Sequence, residues 1–218
     1  MVEWSIAPFR ACEPVRSIVV ACPPGHVHEL GGHDLGVVDG GATRAQSVSN
    51  ALAAVGTELV AVHDAARPLV TTELVEGVIA TLVADSDADG AIAAAPVTDT
   101  IKQVGAREAS TEASKRTSSD RVMPFDAYRV INSSLVVEST LDRDRLWAAQ
   151  TPQVFRVEAL RAALAGDPER IVAATDEAML VEAAGGRVLI HPSPPENLKI
   201  TTPLDLHLAE LLLADRAS

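Results

Sequence analysis

Basic residues are scarce in this chain. Its 218 residues include 18 Lys and Arg against 30 Asp and Glu, a formal net charge of −12. Such a chain repels nucleic acid and anionic membrane surfaces, which excludes both as general partners. Any phosphate site must gather its positive charge locally, so each Arg or Lys inside a motif is informative. Aromatic residues make up only 3%. The apolar content is mostly Ala, Val and Leu, which suits parallel strands covered by helices. There are only two cysteines, Cys12 and Cys22; nothing in the sequence supports a disulfide between them, and the two are read as reduced structural thiols. No apolar run is long enough to cross a membrane. Residues 1–10 lack the basic-then-apolar order of a signal peptide, so a cytoplasmic protein is expected. Glycine is absent before Gly25.

What is present is an ordered globular chain. Hydrophobic residues reach 47% and charged residues 22%, which excludes global disorder. The length suffices for one domain, 1–218, with a sizeable core. Val15 to Ala21, Glu58 to Val62, Gly90 to Val97 and Arg187 to His191 read as buried strands, and Asn197 to Thr201 as a short one. Residues 43–55, 72–83, 157–165 and 177–184 read as helices, the last ending at Gly185-Gly186. A final helix opens at Pro203, with Leu204, Leu208, Leu211 and Leu212 expected to face inward. The alternation predicts an α/β fold with a doubly wound, mostly parallel sheet. Between about 99 and 146 the pattern breaks. Thr100 to Val104 and Tyr128 to Leu141 are expected to form an antiparallel arm, and 107–121 an exposed polar loop.

Four clusters carry chemistry-bearing side chains. Gly40-Gly41-Ala42 enters a helix through Thr43, with Arg44 and Ser47 beyond; such a turn can present amides to an anion, or be a plain capped turn. Asp64, Ala65 and Arg67 follow the strand Glu58 to Val62, at the carboxyl end where open α/β sheets bind ligands. The alternative there is a capped loop with an internal Asp–Arg pair. Thr98-Asp99-Thr100, Arg143 within Asp142-Arg143-Asp144-Arg145, and Thr151 within Gln150-Thr151-Pro152-Gln153 form the third group; taken singly, each fits a surface loop. Thr175-Asp176 and Lys199 form the fourth. A lysine in an apolar strand needs a partner if buried, and is ordinary if it points outward.

Taken together and in order, these motifs resemble the methylerythritol-phosphate cytidylyltransferases. The residues that carry the match are GGATRAQSV at 40–48, VHDAARP at 62–68, APVTDTIK at 95–102, LDRDRLWAAQTPQVF at 141–155, ATDEAMLVEAAG at 174–185 and PENLKITTPLDLHLAE at 195–210. The resemblance spans nearly the whole chain apart from the stretch near 107–134. The resemblance implies a Rossmann-like nucleotidyltransferase with a protruding β-arm. It also implies a reaction in which a polyol phosphate attacks the α-phosphorus of CTP and expels pyrophosphate, with Mg²⁺ as the divalent metal. It assigns Gly40, Gly41, Ala42, Ser47 and Ala65 to the nucleotide, and Asp64 to metal and ribose. Arg67, Thr100, Thr151 and Thr175 go to substrate, and Lys199 and Arg143 to the chemistry. Thr100 and Arg143 sit on the arm, which in this family reaches the neighbouring subunit, so a homodimer is implied.

In one respect the chain departs from that pattern. Family members open with a strand and a loop of the type PAAGxGxRMGxxxPK, which wraps the triphosphate. Here residues 1–6 already resemble the helix that follows it. The expectation is therefore that the first strand and glycine loop are missing, through a misplaced start or a truncation, and that the 218 residues alone have little or no cytidylyltransferase activity. A ribitol-phosphate cytidylyltransferase and a non-catalytic paralogue or dimerisation subunit are the competing readings.

Overall fold

A computed structural model describes residues 1–26, 35–105 and 136–216. The polar loop expected at 107–121 and the YRVI stretch at 128–131 lie outside the described residues. The remainder divides into two compact units, Met1–Pro96 with Ala148–Ser218, and Val97–Trp147.

The first unit begins with α1 (Val2–Ala11), β1 (Ile18–Cys22), β2 (Leu35–Asp39), α2 (Arg44–Leu52), β3 (Leu59–Val62), α3 (Thr72–Val83) and β4 (Gly90–Pro96). The second unit holds β5 (Lys102–Val104) and β6 (Val137–Thr140). The first unit then resumes with β7 (Trp147–Arg156), α4 (Val157–Leu164), α5 (Pro168–Ala173), α6 (Glu177–Ala183), β8 (Val188–Pro192) and α7 (Pro203–Arg216). Its strands form a sheet of order β3-β7-β4-β8 and a separate pair β1-β2. β4 runs parallel to β8, and β1 parallel to β2. β7 is antiparallel to β3, with Ala61 opposite Val154 and Val62 opposite Gln153.

Alternation along the strands builds two cores. Leu59, Ala61, Ala91, Ala93, Val154 and Leu189 pack on one face, with Phe9 of α1 and Val75, Val78 and Leu82 of α3. Val60, Val62, Ile92, Phe155 and Val188 pack on the other, with Leu52, Leu160, Leu180 and Val181 from α2, α4 and α6. Strands buried on both faces must be apolar at every position, and β4 is: Gly90 to Ala95 are all buried. The fold is thus α/β with helices on both faces of the main sheet.

Three sequence expectations are corrected. Residues 197–201 form no strand; the segment runs beside the loop after β3 and makes one backbone bond to it, from Ile200 N to Ala66 O. Leu204, Leu208 and Leu211 of α7 do not face inward, Leu204 being 74% exposed; Ala209 is the buried residue of that helix. Residues 147–156, taken as a motif followed by a helix, are a ten-residue strand at the heart of the sheet. Cys12 and Cys22 are both buried free thiols.

In the second unit β5 and β6 form an antiparallel pair in which Lys102 faces Thr140. A 3₁₀ turn at Arg143–Arg145 follows, capped by the Asp142 side chain on the Asp144 amide. β5 and β6 are exposed throughout.

Candidate active site

The loop after β3 folds as a turn, with Arg67 N donating to Asp64 O at 2.9 Å. The turn lifts the Asp64 carboxylate off the strand end. Lys199 Nζ approaches its Oδ2 at 2.9 Å, and Arg44 Nη2 its Oδ1 at 3.2 Å. On its far side Arg44 is gripped by both oxygens of Glu177, which is 1% exposed. The result is a row of alternating charge, Glu177–Arg44–Asp64–Lys199, running from the interior outward to a lysine whose side chain is 44% exposed.

Burial pulls the Asp64 carboxyl upward, but the Lys199 hydrogen bond and the Arg44 charge outweigh it and hold its pKa below the usual value. Burial dominates at Glu177, whose pKa is raised despite Arg44. For Arg44, burial is again the largest influence, and the two carboxylates overturn it, so its pKa rises.

Beneath Asp64 lies an ordered hydrogen-bond chain. The Asp64 amide donates to Thr151 Oγ1 at 3.0 Å, and that hydroxyl lies 3.0 Å from His63 Nδ1. His63 Nε2 sits 3.2 Å from the Arg67 carbonyl, which can only accept. These partners assign the Nε2–H tautomer, with Nδ1 accepting from Thr151. Burial lowers the His63 pKa to about 4, which keeps the ring neutral. Arg67 Nη1 donates to the Asn197 carbonyl at 2.7 Å. Asn197 is anchored by Nδ2 to Gln150 Oε1 and to the Thr151 carbonyl.

Two caps hold the flanking segments. Gln153 Nε2 donates to Asp176 Oδ2 while Asp176 Oδ1 caps Met179 N, fixing the start of α6 and with it Glu177. Asp205 Oδ2 accepts from the amides of Thr201 and Thr202 and from the Thr201 hydroxyl, while Thr202 Oγ1 accepts from Asp205 N. This reciprocal cap at the head of α7 fixes the end of the Lys199 segment. The same bonds lower the Asp205 pKa to about 2.

The Gly-Gly turn is internally satisfied. Gly41 N donates to Ser47 Oγ, Ala42 N to Gln46 Oε1, and Ser47 Oγ to Thr43 O. Arg44, just beyond that turn, is paired with two carboxylates. Thr175 and Ala65 are exposed beside their capped segments, and Thr151 is buried. Thr100 and Arg143 belong to the second unit, where Arg143 Nη1 donates to the Thr98 carbonyl at 2.8 Å. Glu177 and His63 went unassigned in the sequence. Glu177 reads there as an ordinary first-turn helix residue, and nothing local reveals that it meets Arg44, 133 positions away.

Among the described residues, no group of three or more His, Cys, Asp or Glu side chains is placed to hold a metal ion. Asp64 is the one acidic side chain at the outer end of the charged row. Its oxygens retain acceptor positions beyond those used by Arg44 and Lys199.

The family model for 2-C-methyl-D-erythritol 4-phosphate cytidylyltransferase, IspD, matches residues 1–130 and 121–215. The chain belongs to the 2-C-methyl-D-erythritol 4-phosphate cytidylyltransferase family. It is 40% identical over 223 residues to the family's protein from Symbiobacterium thermophilum, covering 96% of this chain and 78% of that protein. It is 41% identical to a bifunctional IspD/IspF enzyme from Anaeromyxobacter dehalogenans, a match that covers 94% of this chain and 48% of the relative. Of the solved structures in this family, that from Thermus thermophilus superposes with a TM-score of 0.74 at 31% identity, covering 98% of this chain and 88% of that one. The α/β architecture expected from the sequence is thus that of the cytidylyltransferases. No helix among the described residues is long and apolar enough to cross a membrane.

Proposed function

We propose that this site transfers a cytidylyl group from CTP to 2-C-methyl-D-erythritol 4-phosphate, a step of isoprenoid precursor synthesis. A phosphate oxygen of the polyol phosphate bonds to the α-phosphorus of CTP. The bond from that phosphorus to the bridging oxygen breaks, and pyrophosphate leaves. Phosphoryl chemistry of this kind needs positioned charge rather than a protein nucleophile.

The observation that carries the reading is the Lys199–Asp64 pair at the outer end of a charged row anchored on buried Glu177. Lys199 is the catalytic cation of this unit, free to swing from carboxylate to phosphate. Arg67 and Thr175 bind the polyol phosphate, and Thr151 holds the Asp64 loop in place. Gly40, Gly41, Ala42, Ser47 and Ala65 frame the nucleotide. Mg²⁺ would be held mainly by triphosphate oxygens with Asp64 as the protein ligand, and when bound it neutralises charge on the triphosphate. Arg143 and Thr100 serve a neighbouring subunit through the arm, in a homodimer.

The test is pyrophosphate release with CTP, Mg²⁺ and methylerythritol phosphate, run in parallel with ribitol 5-phosphate. Release that depends on methylerythritol phosphate, at any rate above that of Lys199→Ala, supports the reading. Preference for ribitol phosphate would reassign the acceptor, and release that survives Lys199→Ala unchanged would remove the proposed site.

A further inference from the structure

Asn197 is as deeply buried as Glu177, at 1% exposure, yet it stands two positions from Lys199. Its side chain spends Nδ2 on two acceptors of β7, Gln150 Oε1 and the Thr151 carbonyl, each at 2.9 Å. Gln150 Oε1 also accepts from Ser193 Oγ at 2.8 Å, and Ser193 N donates to the Ala94 carbonyl of β4 at 2.8 Å. Gln150, Thr151 and Ser193 are themselves buried. An amide has two N–H donors, and both of these are committed to fixed partners inside the sheet. The Asn197 side chain therefore has one position open to it.

The backbone carbonyl of the same residue accepts from Arg67 Nη1 at 2.7 Å. Arg67 Nε is buried without a hydrogen-bond partner among the described residues, so only the Nη1–Nη2 end of the guanidinium can meet a ligand. The Asn197 carbonyl is the contact that aims this end. Lys199 has anchors of its own. Ile200 N donates to the Ala66 carbonyl at 2.8 Å, and Asp205 caps Thr201 and Thr202. Asn197 thus governs the aim of Arg67 rather than that of Lys199.

We propose that Asn197 is a positioning residue of the polyol-phosphate subsite: its buried amide fixes its own carbonyl, and that carbonyl aims the Arg67 guanidinium at the phosphate. This rests on the proposed transfer reaction, with Arg67 as a phosphate ligand. A guanidinium held in place before the ligand arrives loses less freedom on binding, so the benefit falls on affinity for the polyol phosphate. The rival account is that the Pro194-Pro195 turn, closed by Asn197 N on the Pro194 carbonyl at 3.2 Å, holds the Asn197 carbonyl without help from the side chain.

The test follows the arginine Nε–H resonances of the isotope-labelled chain in the wild type and in Asn197→Ala. Arg156 is the internal control, since its Nε donates to the Ala88 carbonyl at 2.8 Å through a separate contact. In Asn197→Ala the Arg67 Nε–H should shift and exchange with solvent about tenfold faster or more, while Arg156 keeps its shift and rate. A purely structural role would quicken both alike. Methylerythritol phosphate, added with CTP present, should perturb the Arg67 resonance in the wild type and bind about tenfold more weakly to Asn197→Ala. Affinity for CTP should stay within about twofold of the wild type. Arg67→Ala should lose at least as much, and Asn197→Ala should add nothing to that loss in the double variant. Gln150→Leu removes the shared acceptor and should give the same pattern more mildly. It carries the test if Asn197→Ala lacks a cooperative thermal transition. Unchanged Arg67 exchange, or additive losses in the double variant, overturns the proposal and leaves the carbonyl to the proline turn. So does an equal weakening of CTP and polyol phosphate, or an Arg67 resonance that methylerythritol phosphate leaves unmoved in the wild type. Failure of the transfer reaction itself would show differently, as pyrophosphate release that is indifferent to Lys199→Ala.

Discussion

Lys199 holds its ammonium nitrogen 2.9 Å from Oδ2 of Asp64, while Arg44 holds the other oxygen of the same carboxylate. The two cations differ in their freedom. Arg44 is tied to buried Glu177, whereas Lys199 stands half in solvent with Asp64 as its only ion-pair partner among the described residues. In the proposed reaction Lys199 exchanges Asp64 for an arriving phosphate.

Replacing Lys199 with Ala should reduce transfer by roughly 100–1,000-fold, the usual loss when one charge-stabilising donor is removed. The reduction should fall mainly on kcat, because the charge acts where negative charge develops. Steady-state kinetics with each substrate varied distinguishes this from a loss confined to KM, which would make Lys199 a binding residue only.

Glu177→Ala should destabilise the fold by about 3 kcal/mol, since it strips a buried partner from Arg44. Glu177→Gln keeps the shape and one acceptor and should cost less. In both variants Arg44 loses its anchor and Asp64 its orientation, so transfer should fall further than stability predicts. Urea unfolding alongside kinetics tests this; equal activity in the wild type and Glu177→Gln would confine Glu177 to a structural role.

His63 gives stability a pH dependence of known sign. Its folded-state pKa of about 4 lies below the ordinary 6.5. Between those values the unfolded chain binds more protons, so stability is full above pH 6.5 and is lost as pH falls toward 4. The loss is on the order of 3 kcal/mol. Stability from urea midpoints at pH 7 and pH 5 should differ by about 2 kcal/mol, since only part of that window is crossed, and His63→Gln should flatten that difference. Thr151→Val, which removes the hydroxyl bridging Asp64 N and His63, should cost about 1–3 kcal/mol at pH 7.

Gly77 lies inside α3, where Ala would ordinarily add about 1 kcal/mol of helix stability. Here a Cβ would meet His191 Nε2 at 2.5 Å. The ring cannot simply swing away, because its Nδ1 lies 2.9 Å from Thr81 Oγ1. Gly77→Ala should therefore destabilise, with a lower thermal midpoint; a raised midpoint would mean that the ring shifts freely.

Much of the fold was legible because it rests on local pattern. The helix at Thr72–Val83 carries its apolar spacing and its Thr71 cap within its own residues. Glu177–Ala183 likewise announces itself through Asp176 and the glycines that follow. The strand β7 was hidden because Gln150, Thr151, Pro152 and Gln153 look like loop residues. They are buried only because Ser193, Asn197, His63 and Asp176 supply their hydrogen bonds from distant parts of the chain. The residues of α7 misled in the opposite direction. Leucines at helical spacing predict a buried face, but burial depends on what packs against a helix, and Leu204 and Leu211 find no cover among the described residues.

The candidate site divides in the same way. The sequence alone determined which residue types stand at the strand end and in what order: Asp64 and Arg67 after β3, Thr175-Asp176 before a helix, Lys199 before Thr202-Pro203. Order along the chain is enough to specify the family, because motifs are local strings. Only the tertiary structure decided which charges meet. It made Arg44 a bridge between two carboxylates and brought in Glu177. It also showed that the Gly41 amide donates to the Ser47 hydroxyl. Charge pairing and backbone satisfaction are set by distances between segments that lie far apart in the chain, and those distances exist only once the two cores have closed.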